Sequence, residues 1–432
     1  MTTPGVPVRV ALLGCGTVGA QVARLLVDSA DDLEARVGRP LELVGIAVRT
    51  PGPRAGIDAA MFTTDAAALV ARPDLDLVIE LMGGIEPARA LLVDALASGK
   101  SVVTANKALL ASHGGELFET AERAGVDLYY EAAVAGAIPI IRPLRESLVG
   151  DAVQAVRGIV NGTTNYILDQ MHSTGADFAT ALAEAQELGY AEADPTADVG
   201  GADAAAKAAI LSSLAFHTRV NLAEVSWEGI TEVTVSDIAA AEQLGCVLKL
   251  LANCEVSPDG SIAVGVHPTM VPQGHPLAGV HGAFNAVFIE SDNAGQLMFM
   301  GPGAGGAPTA SAVMGDVVTA ARNRLRGVAG PGESAYTTPG ITDPGAVVSR
   351  YYLALVVRDQ PGVLARIATE MAAHQVSIQI VRQEQLADDD AHARLGITTH
   401  LAPDAAVRAI VATLEAGGDV SGPVRVLRVA GE

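Results

Sequence analysis

The sequence predicts an α/β protein in three parts: a doubly wound parallel sheet, an α+β domain with its own sheet, and a small domain of ferredoxin-like order. Three observations carry this reading. Short β-branched runs alternate with helix-spaced segments up to about Glu131, the pattern of a parallel sheet covered on both faces. From 132 to 300 helices come first and strands follow, which points to a separate layer architecture. After a stretch dense in glycine, proline, threonine and serine, the remaining chain reads β-α-β-β-α-β. At 432 residues the chain exceeds what one hydrophobic core serves.

In the first part, Val8–Leu13, Leu41–Val48, Leu75–Leu81, Ser101–Thr104 and Val126–Tyr130 are expected as strands. They are near-continuous apolar runs. Val18–Asp28 and Glu86–Ala97 between them have helical spacing. In the second part, helices are expected over Asp177–Leu188, Asp203–Phe216 and Ser236–Leu244. Strands follow over Val247–Val256, Ser261–Val271, Phe284–Asp292 and Gln296–Met300. Residues 301–326 open glycine-rich and continue as a helix expected to return to the first domain. Residues 327–349 read as a linker. Beyond it, Tyr351–Val357, Val376–Arg382, His392–His400 and Pro423–Val429 are expected strands, with helices over Gly362–His374 and Asp404–Ala416. The domain map is therefore 1–131 (with 301–326), 132–300, and 350–432.

Composition excludes several classes. The net charge is −21, so nucleic acid and anionic membrane are repelled by the average surface. No run approaches a membrane span and no secretory leader is visible, so a cytoplasmic protein is expected. Cys15, Cys246 and Cys254 form neither a disulfide framework nor a metal-ligand spacing.

The first chemistry-bearing motif is Val8-Arg-Val-Ala-Leu-Leu-Gly14-Cys-Gly16-Thr17-Val18-Gly19. A G-x-G-x-x-G directly after a strand and before a helix is the dinucleotide fingerprint. Gly14 permits the tight turn, Gly16 lets backbone approach a pyrophosphate, and Gly19 lets the helix pack closely; the helix start at Thr17 and Val18 faces the phosphate charge. The second strand ends at Arg49, where an NAD site ordinarily has an acidic residue for the ribose hydroxyls. An arginine pairs with a 2′-phosphate instead, so NADP is expected over NAD, with Arg54 as a further contact. A solvated strand-end arginine is the plainer alternative.

Three ordered segments resemble homoserine dehydrogenases, and the resemblance spans essentially the whole chain. They are Ser101-Val-Val-Thr104-Ala-Asn-Lys107, then Gly158-Ile-Val-Asn-Gly-Thr163-Thr-Asn-Tyr-Ile-Leu168, and Gly189-Tyr-Ala-Glu192-Ala-Asp-Pro-Thr-Ala-Asp198-Val-Gly-Gly-Ala-Asp203-Ala-Ala-Ala-Lys207. The resemblance implies reversible oxidation of L-homoserine to L-aspartate 4-semialdehyde in threonine and methionine biosynthesis, by a homodimer or homotetramer. It makes Lys207 the general acid–base, with Lys107 as second lysine and Asp203 beside them. It assigns Thr163, Glu192 and Asp203 to substrate, with Asp198 in support, and Gly189 and Gly305 to the cofactor; Thr104 and Lys107, at the carboxyl edge of the fourth parallel strand where such folds keep their ligands, are further candidate cofactor contacts. It also implies a monovalent cation, sodium, held by Glu131 and the carbonyls of Val134, Gly136 and Ile138. The residues read independently agree in part: Asp203 and Lys207 are four apart and share a helical face with Ile210, Leu211 and Leu214. Such a lysine is open to a depressed pKa, more so with a second ammonium close by. The carboxylates Glu187, Glu192, Asp194, Asp198 and Asp203 leave a divalent-metal site as an alternative to ammonium recognition, although no EF-hand spacing is present.

In the last part, Arg358-Asp359-Gln-Pro361-Gly362-Val-Leu364 follows a strand and opens a helix. With the strand order it resembles an ACT domain, which implies an amino-acid effector, threonine, with Asp359 toward the ammonium and helix amides toward the carboxylate. A ligand-free dimerisation module is the alternative. Two other functions compete for the whole chain: a different amino-acid or semialdehyde dehydrogenase, the latter needing a catalytic cysteine, and a non-catalytic NADP sensor, which has no need of both Lys107 and Lys207.

Overall fold

The computed structural model describes residues 5–50, 52, 56–386 and 389–431. The chain forms two compact units from interleaved segments. The first comprises the chain up to Gly162, Asp203–Val225 and Ala283–Thr338; the second comprises Thr163–Ala202, Ser226–Gly282 and the chain from Pro339.

The first unit holds a six-stranded sheet: β1 (Val8–Leu13), β2 (Leu41–Ala47), β3 (Phe62–Thr63), β4 (Leu77–Glu80), β5 (Ser101–Thr104) and β6 (Leu128–Tyr129). Its order is β3-β2-β1-β4-β5-β6, with every neighbour parallel. The order reverses between β1 and β4, and that switch point is where such sheets leave a crevice at their carboxyl ends. Both β4 and β5 are buried throughout, which is why they read as unbroken apolar runs. The helix Thr17–Asp28 leaves β1 at the glycine loop. Ala310, Val313, Val317 and Ala320 of the helix Gly306–Arg326 are buried in the same core as Val10, Leu12, Val22 and Ile79. Val153–Ile159, Phe284–Ser291 and Gly295–Pro302 form an antiparallel ribbon in the same unit. The helix Ala202–Ala215 is buried on almost every side. It is an interior helix rather than an amphipathic one, so the apolar stripe expected along it does not explain its burial.

In the second unit the helix Gly162–Thr174 is followed by Phe178–Glu187, the short Thr196–Val199 and Val235–Gln243. Cys246–Val256 and Ile262–Pro272 pair antiparallel over their full length. The C-terminal elements are Val348–Arg358, Val363–Ala373, Ile378–Leu386, Asp389–Thr399, Asp404–Ala416 and Arg425–Val429. Their β-α-β-β-α-β order is the expected one, and the antiparallel strands lie in the order fourth, first, third, second. Leu353, Leu355, Val363, Ile367, Met371, Val407, Ile410 and Leu414 fill the core beneath.

The tail is joined to its unit by more than a tether. Arg425–Val429 runs parallel to Ile262–Pro272, with Thr269 opposite Arg428 and Met270 opposite Val429. The Ala430 amide donates to the Met270 carbonyl at 2.9 Å. The glycine-rich stretch before it is irregular, as expected, but its first part is bound within the first unit. Gly330 donates its amide to Asp127 at 2.6 Å, and Arg219 forms a two-pronged pair with Glu333 at 2.9 and 2.6 Å. Among the described residues no helix is long and apolar enough to cross a membrane. All three cysteines are buried, and none is in a disulfide.

Candidate active site

The glycine loop divides its tasks between fold and ligand. Gly14 has φ +94°, and a Cβ there meets the Leu81 carbonyl oxygen at 2.6 Å; a Cβ on Gly19 meets the Gly14 carbonyl at 2.3 Å. Both glycines are therefore demanded by the turn itself. Gly16 is different: its backbone is ordinary (φ −78°) and a Cβ meets nothing within 4 Å. Thr17 is the first residue of the helix, and Val18 packs on the sheet core. A second helix start lies alongside, since a Cβ on Gly306 meets Thr17 Cγ2 at 3.1 Å; Gly305 caps that helix with φ +120°. Two helix N-termini beside an open glycine suit a phosphate-bearing group. Arg49 is exposed just past β2, and Arg54 lies outside the described residues.

The carboxyl ends of β4 and β5 are tied by a buried network. Glu80, fully buried, accepts from the amides of Met82 (2.7 Å) and Gly83 (3.0 Å) and from the Thr104 hydroxyl (2.6 Å). Thr104 in turn accepts from the Asn106 amide at 3.0 Å, and Asn106 caps the next helix by accepting from the Leu109 amide at 3.1 Å. That helix begins at Lys107, so the network sets the base from which Lys107 projects.

Lys107, Asp203 and Lys207 come together. Asp203 and Lys207 are both buried. Lys207 donates to Asp203 Oδ2 at 2.7 Å and to the Val160 carbonyl at 2.7 Å. Lys107 forms an ion pair with Asp203 Oδ1, and Asn161 Nδ2 donates to Oδ2 at 2.9 Å. Burial by itself raises the Asp203 carboxyl; the charges of Lys207 and Lys107 outweigh it and hold the group well below the usual carboxylate range. The Asp203 carboxylate stands between the two ammonium groups of Lys107 and Lys207. Asn161 and the Val160 carbonyl were not singled out in the sequence, although they lie inside a segment that carries the family resemblance.

Glu131, buried at 5% exposure, directs its carboxylate at main-chain amides: Oε1 accepts from Ile140 (2.6 Å) and Ile141 (2.7 Å), and Oε2 from Arg142 (3.1 Å). Its own amide donates to Asp316 at 2.8 Å, and Arg142 pairs with Asp316 at 2.5 Å. Burial raises both carboxyls, Asp316 to about 6. Val134, Gly136 and Ile138 follow in irregular buried backbone, with Ala135 and Gly136 both left-handed. The Glu131 carboxylate is thus committed to hydrogen bonds, and its share in a cation site would come from its main-chain carbonyl.

Thr163, Gly189, Glu192 and Asp198 belong to the second unit. Thr163 is buried and donates its hydroxyl to the Tyr190 carbonyl at 2.5 Å. Gly189 has φ +77° just past the helix Phe178–Glu187. Glu192 is exposed, and Asp198 is half-buried in the short helix Thr196–Val199. Among the described residues no group of three or more acidic, histidine or cysteine side chains is placed to hold a metal. Burial also raises the Cys246 thiol, the opposite of an activated nucleophile.

A parallel sheet with a glycine loop at its switch point, and a lysine pair on a shared carboxylate, define an NAD(P)-dependent oxidoreductase acting on a hydroxyl or carbonyl group. Comparison with known proteins makes this specific. The family profiles "Homoserine dehydrogenase, NAD binding domain" and "Homoserine dehydrogenase" match residues 14–131 and 139–318. The homoserine dehydrogenase of Mycobacterium tuberculosis is 56% identical over 98% of both chains, and that of Corynebacterium glutamicum is 53% identical over 99% of this chain and 96% of its own. The crystal structure of a homoserine dehydrogenase from Thiobacillus denitrificans superposes with a TM-score of 0.93 at 39% identity, covering 98% of each chain. A hyperthermophilic archaeal homoserine dehydrogenase solved in complex with NADPH matches 76% of this chain and all of its own, with a TM-score of 0.63 at 28% identity. The chain belongs to the homoserine dehydrogenase family, NAD(P)-dependent enzymes of amino-acid biosynthesis that interconvert L-homoserine and L-aspartate 4-semialdehyde.

Proposed function

We propose that Lys207 is the proton donor and acceptor at the substrate oxygen of this homoserine dehydrogenase, held and charged by Asp203. The observation that carries this is the single buried carboxylate bonded to both Lys207 and Lys107. The nicotinamide, when bound, delivers or takes up a hydride at the substrate carbon bearing that oxygen. In the reductive direction the Lys207 ammonium gives one proton to the carbonyl oxygen as the carbon receives the hydride. In the oxidative direction the hydroxyl proton passes to Lys207 Nζ. Lys107 adds a second positive charge beside the oxygen and stabilises negative charge developing there. Thr163, Glu192 and Asp198 contact the amino-acid end of the substrate together with Asp203, the exposed Glu192 carboxylate meeting its ammonium.

Gly14, Gly16, Thr17, Val18, Gly19, Thr104, Gly189 and Gly305 cradle the cofactor, and Arg49 selects NADP by pairing with the 2′-phosphate. A sodium ion suits the oxygen donors of Val134, Gly136, Ile138 and the Glu131 main chain. The proposed functional division is 1–131 with 301–326, 132–300, and 350–432, the last an ACT domain that binds an amino-acid effector, threonine, near Asp359, in a homodimer or homotetramer. Supporting the effector reading, Asp359 lies beside Gly362 (φ +92°), which opens the helix Val363–Ala373. The decisive test is Lys207→Ala: turnover should fall by about 10²–10⁴ while NADPH affinity, read by fluorescence titration, stays within a few-fold. Near wild-type kcat removes Lys207 from the chemistry.

A further inference from the structure

A cavity of about 500 Å3 opens in the second unit between the C-terminal domain and the strand Ile262–Pro272. Its size is that of a small-molecule site, and its walls carry an uneven charge. Asp404, with 13% of its side chain exposed, is shared by two guanidiniums: Arg428 reaches Oδ1 at 3.1 Å and Arg408 pairs with Oδ2. The Tyr351 hydroxyl donates to the same Oδ1 at 3.2 Å. Two cations on one carboxylate leave one positive charge in excess. The imidazole of His267, also on the wall, registers this: burial, then the charges of Arg428 and Arg408, push it down to about 3. Glu228 stands on the cavity wall too, 3.5 Å from Arg425. Beside it on the same wall Trp227 is 44% exposed, a large ring left partly uncovered.

We propose that this cavity binds a free α-amino acid, with its carboxylate on Arg408 and Arg428 and its ammonium on Glu228, separate from the loop at Asp359. It deepens the regulatory reading and rests on that reading only for the effect on turnover. A path for such an effect is present within the unit. Trp227 and Glu228 lean on the segment Thr196–Gly201, which contains Asp198. A Cβ on Gly229 meets the Val199 carbonyl at 2.1 Å, one on Gly201 meets Trp227 Cδ1 at 3.4 Å, and the Ile230 amide donates to the Val199 carbonyl at 2.8 Å. That backbone has no slack, so a ligand that moves Glu228 moves the turn next to Asp198.

Trp227 is the chain's single tryptophan, so its emission reports on this cavity wall and on the Thr196–Gly201 segment it meets, and the Arg408 and Glu228 variants separate the two. The full-length enzyme is titrated with L-threonine, L-isoleucine and L-glutamate, and with butyrate as a carboxylate lacking an ammonium, while Trp227 fluorescence and turnover are read separately. A saturable fluorescence change with at least one amino acid, weaker with butyrate, is expected. Arg408→Met should weaken that binding about tenfold, and Glu228→Gln should erase the preference over butyrate; thermal melts check that both variants fold. A response of Trp227 without any change in turnover keeps the site and removes its regulatory role. Inhibition with Trp227 silent overturns the proposal and leaves regulation at another place. A Trp227 response unaltered in both variants, or no response to any of the probes, also overturns it.

Discussion

Replacing Asp203 by asparagine tests the site at its centre, because the side chain keeps its shape and loses only its charge. At 2.7 Å and an effective dielectric of about 20, the attraction between Asp203 and Lys207 has an upper bound of about 6 kcal/mol. Breaking a buried pair by removing one partner costs about 3–5 kcal/mol. Lys107 adds little, since 44% of its side chain meets solvent. A loss of about 3 kcal/mol is the reasoned value, equivalent to a fall in Tm of about 6–12 °C at 2–4 °C per kcal/mol. The pH dependence has a definite sign. The folded carboxyl is held below its unfolded value of about 3.9, so its contribution is complete above that value and is lost as pH falls. The Tm gap between wild type and Asp203→Asn should be flat from about pH 5 to 8 and close only below about pH 4. Lys207 also loses its anchor, and a misplaced proton donor lowers kcat by about 10²-fold. Initial rates of NADPH oxidation with L-aspartate 4-semialdehyde, and melts across the pH range, measure both. A variant with kcat within threefold of wild type, or a Tm gap that varies between pH 6 and 8, refutes the bridged-carboxylate argument.

The glycine loop gives a paired expectation: Gly14→Ala forces a Cβ onto the Leu81 carbonyl and lowers Tm, whereas Gly16→Ala keeps a wild-type melt and raises the KM for NADPH about tenfold or more. Equal behaviour of the two would remove the division between turn and ligand. Arg49→Asp should raise the KM for NADPH far more than that for NADH, as an attraction becomes a repulsion; unchanged selectivity would place phosphate recognition elsewhere. Removing everything after about Pro339 strips the Arg425–Val429 strand from Ile262–Pro272 and the Arg425 contacts with Glu228 and Asp237. The truncated enzyme should lose amino-acid response together with several degrees of Tm; an unaltered melt would show that this strand pairing contributes nothing.

Sequence patterning reached the parallel sheet because its strands are buried on both faces and its turns need glycine. β1 and β5 lie where the apolar runs placed them. The strand Val153–Ile159 and the helix Gly162–Thr174 went unread for physical reasons. The first is interrupted by Gln154, Arg157 and Gly158, and the second opens Gly-Thr-Thr-Asn, residues that prefer caps and turns to helix interiors. Tertiary burial holds them, with Thr163 to Leu168 all interior. The same gap hid Asn161 and the Val160 carbonyl, which sit between these two elements. Glu80 was missed because a carboxylate ending an apolar strand looks like solvent exposure; its partners, the amides of Met82 and Gly83 and the Thr104 hydroxyl, are set by the turn. The pairing of Arg425–Val429 with Ile262–Pro272 is not legible in the sequence, because a glycine-rich linker marks a change of element without revealing which strand edge the chain later meets.

The clusters at Asp203 and Asp404 share one construction, and it answers a problem posed by the net charge of −21. A protein so acidic must receive an anionic cofactor and an amino-acid carboxylate against its average field. Loose surface lysines would be screened and would have to reorganise when a ligand arrives. Here two cations share one carboxylate, Lys107 and Lys207 on the buried Asp203, Arg408 and Arg428 on the half-buried Asp404. Each carboxylate offsets the desolvation of its more covered partner, Lys207 or Arg428, and fixes the direction of both, and one positive charge remains in excess on each trio. That residual charge is preorganised, so it favours negative charge at the substrate oxygen or a ligand carboxylate without further ordering. The carboxylate is therefore the element on which each site depends, and neutralising it should disturb ligand and proton handling more than removing either exposed cation.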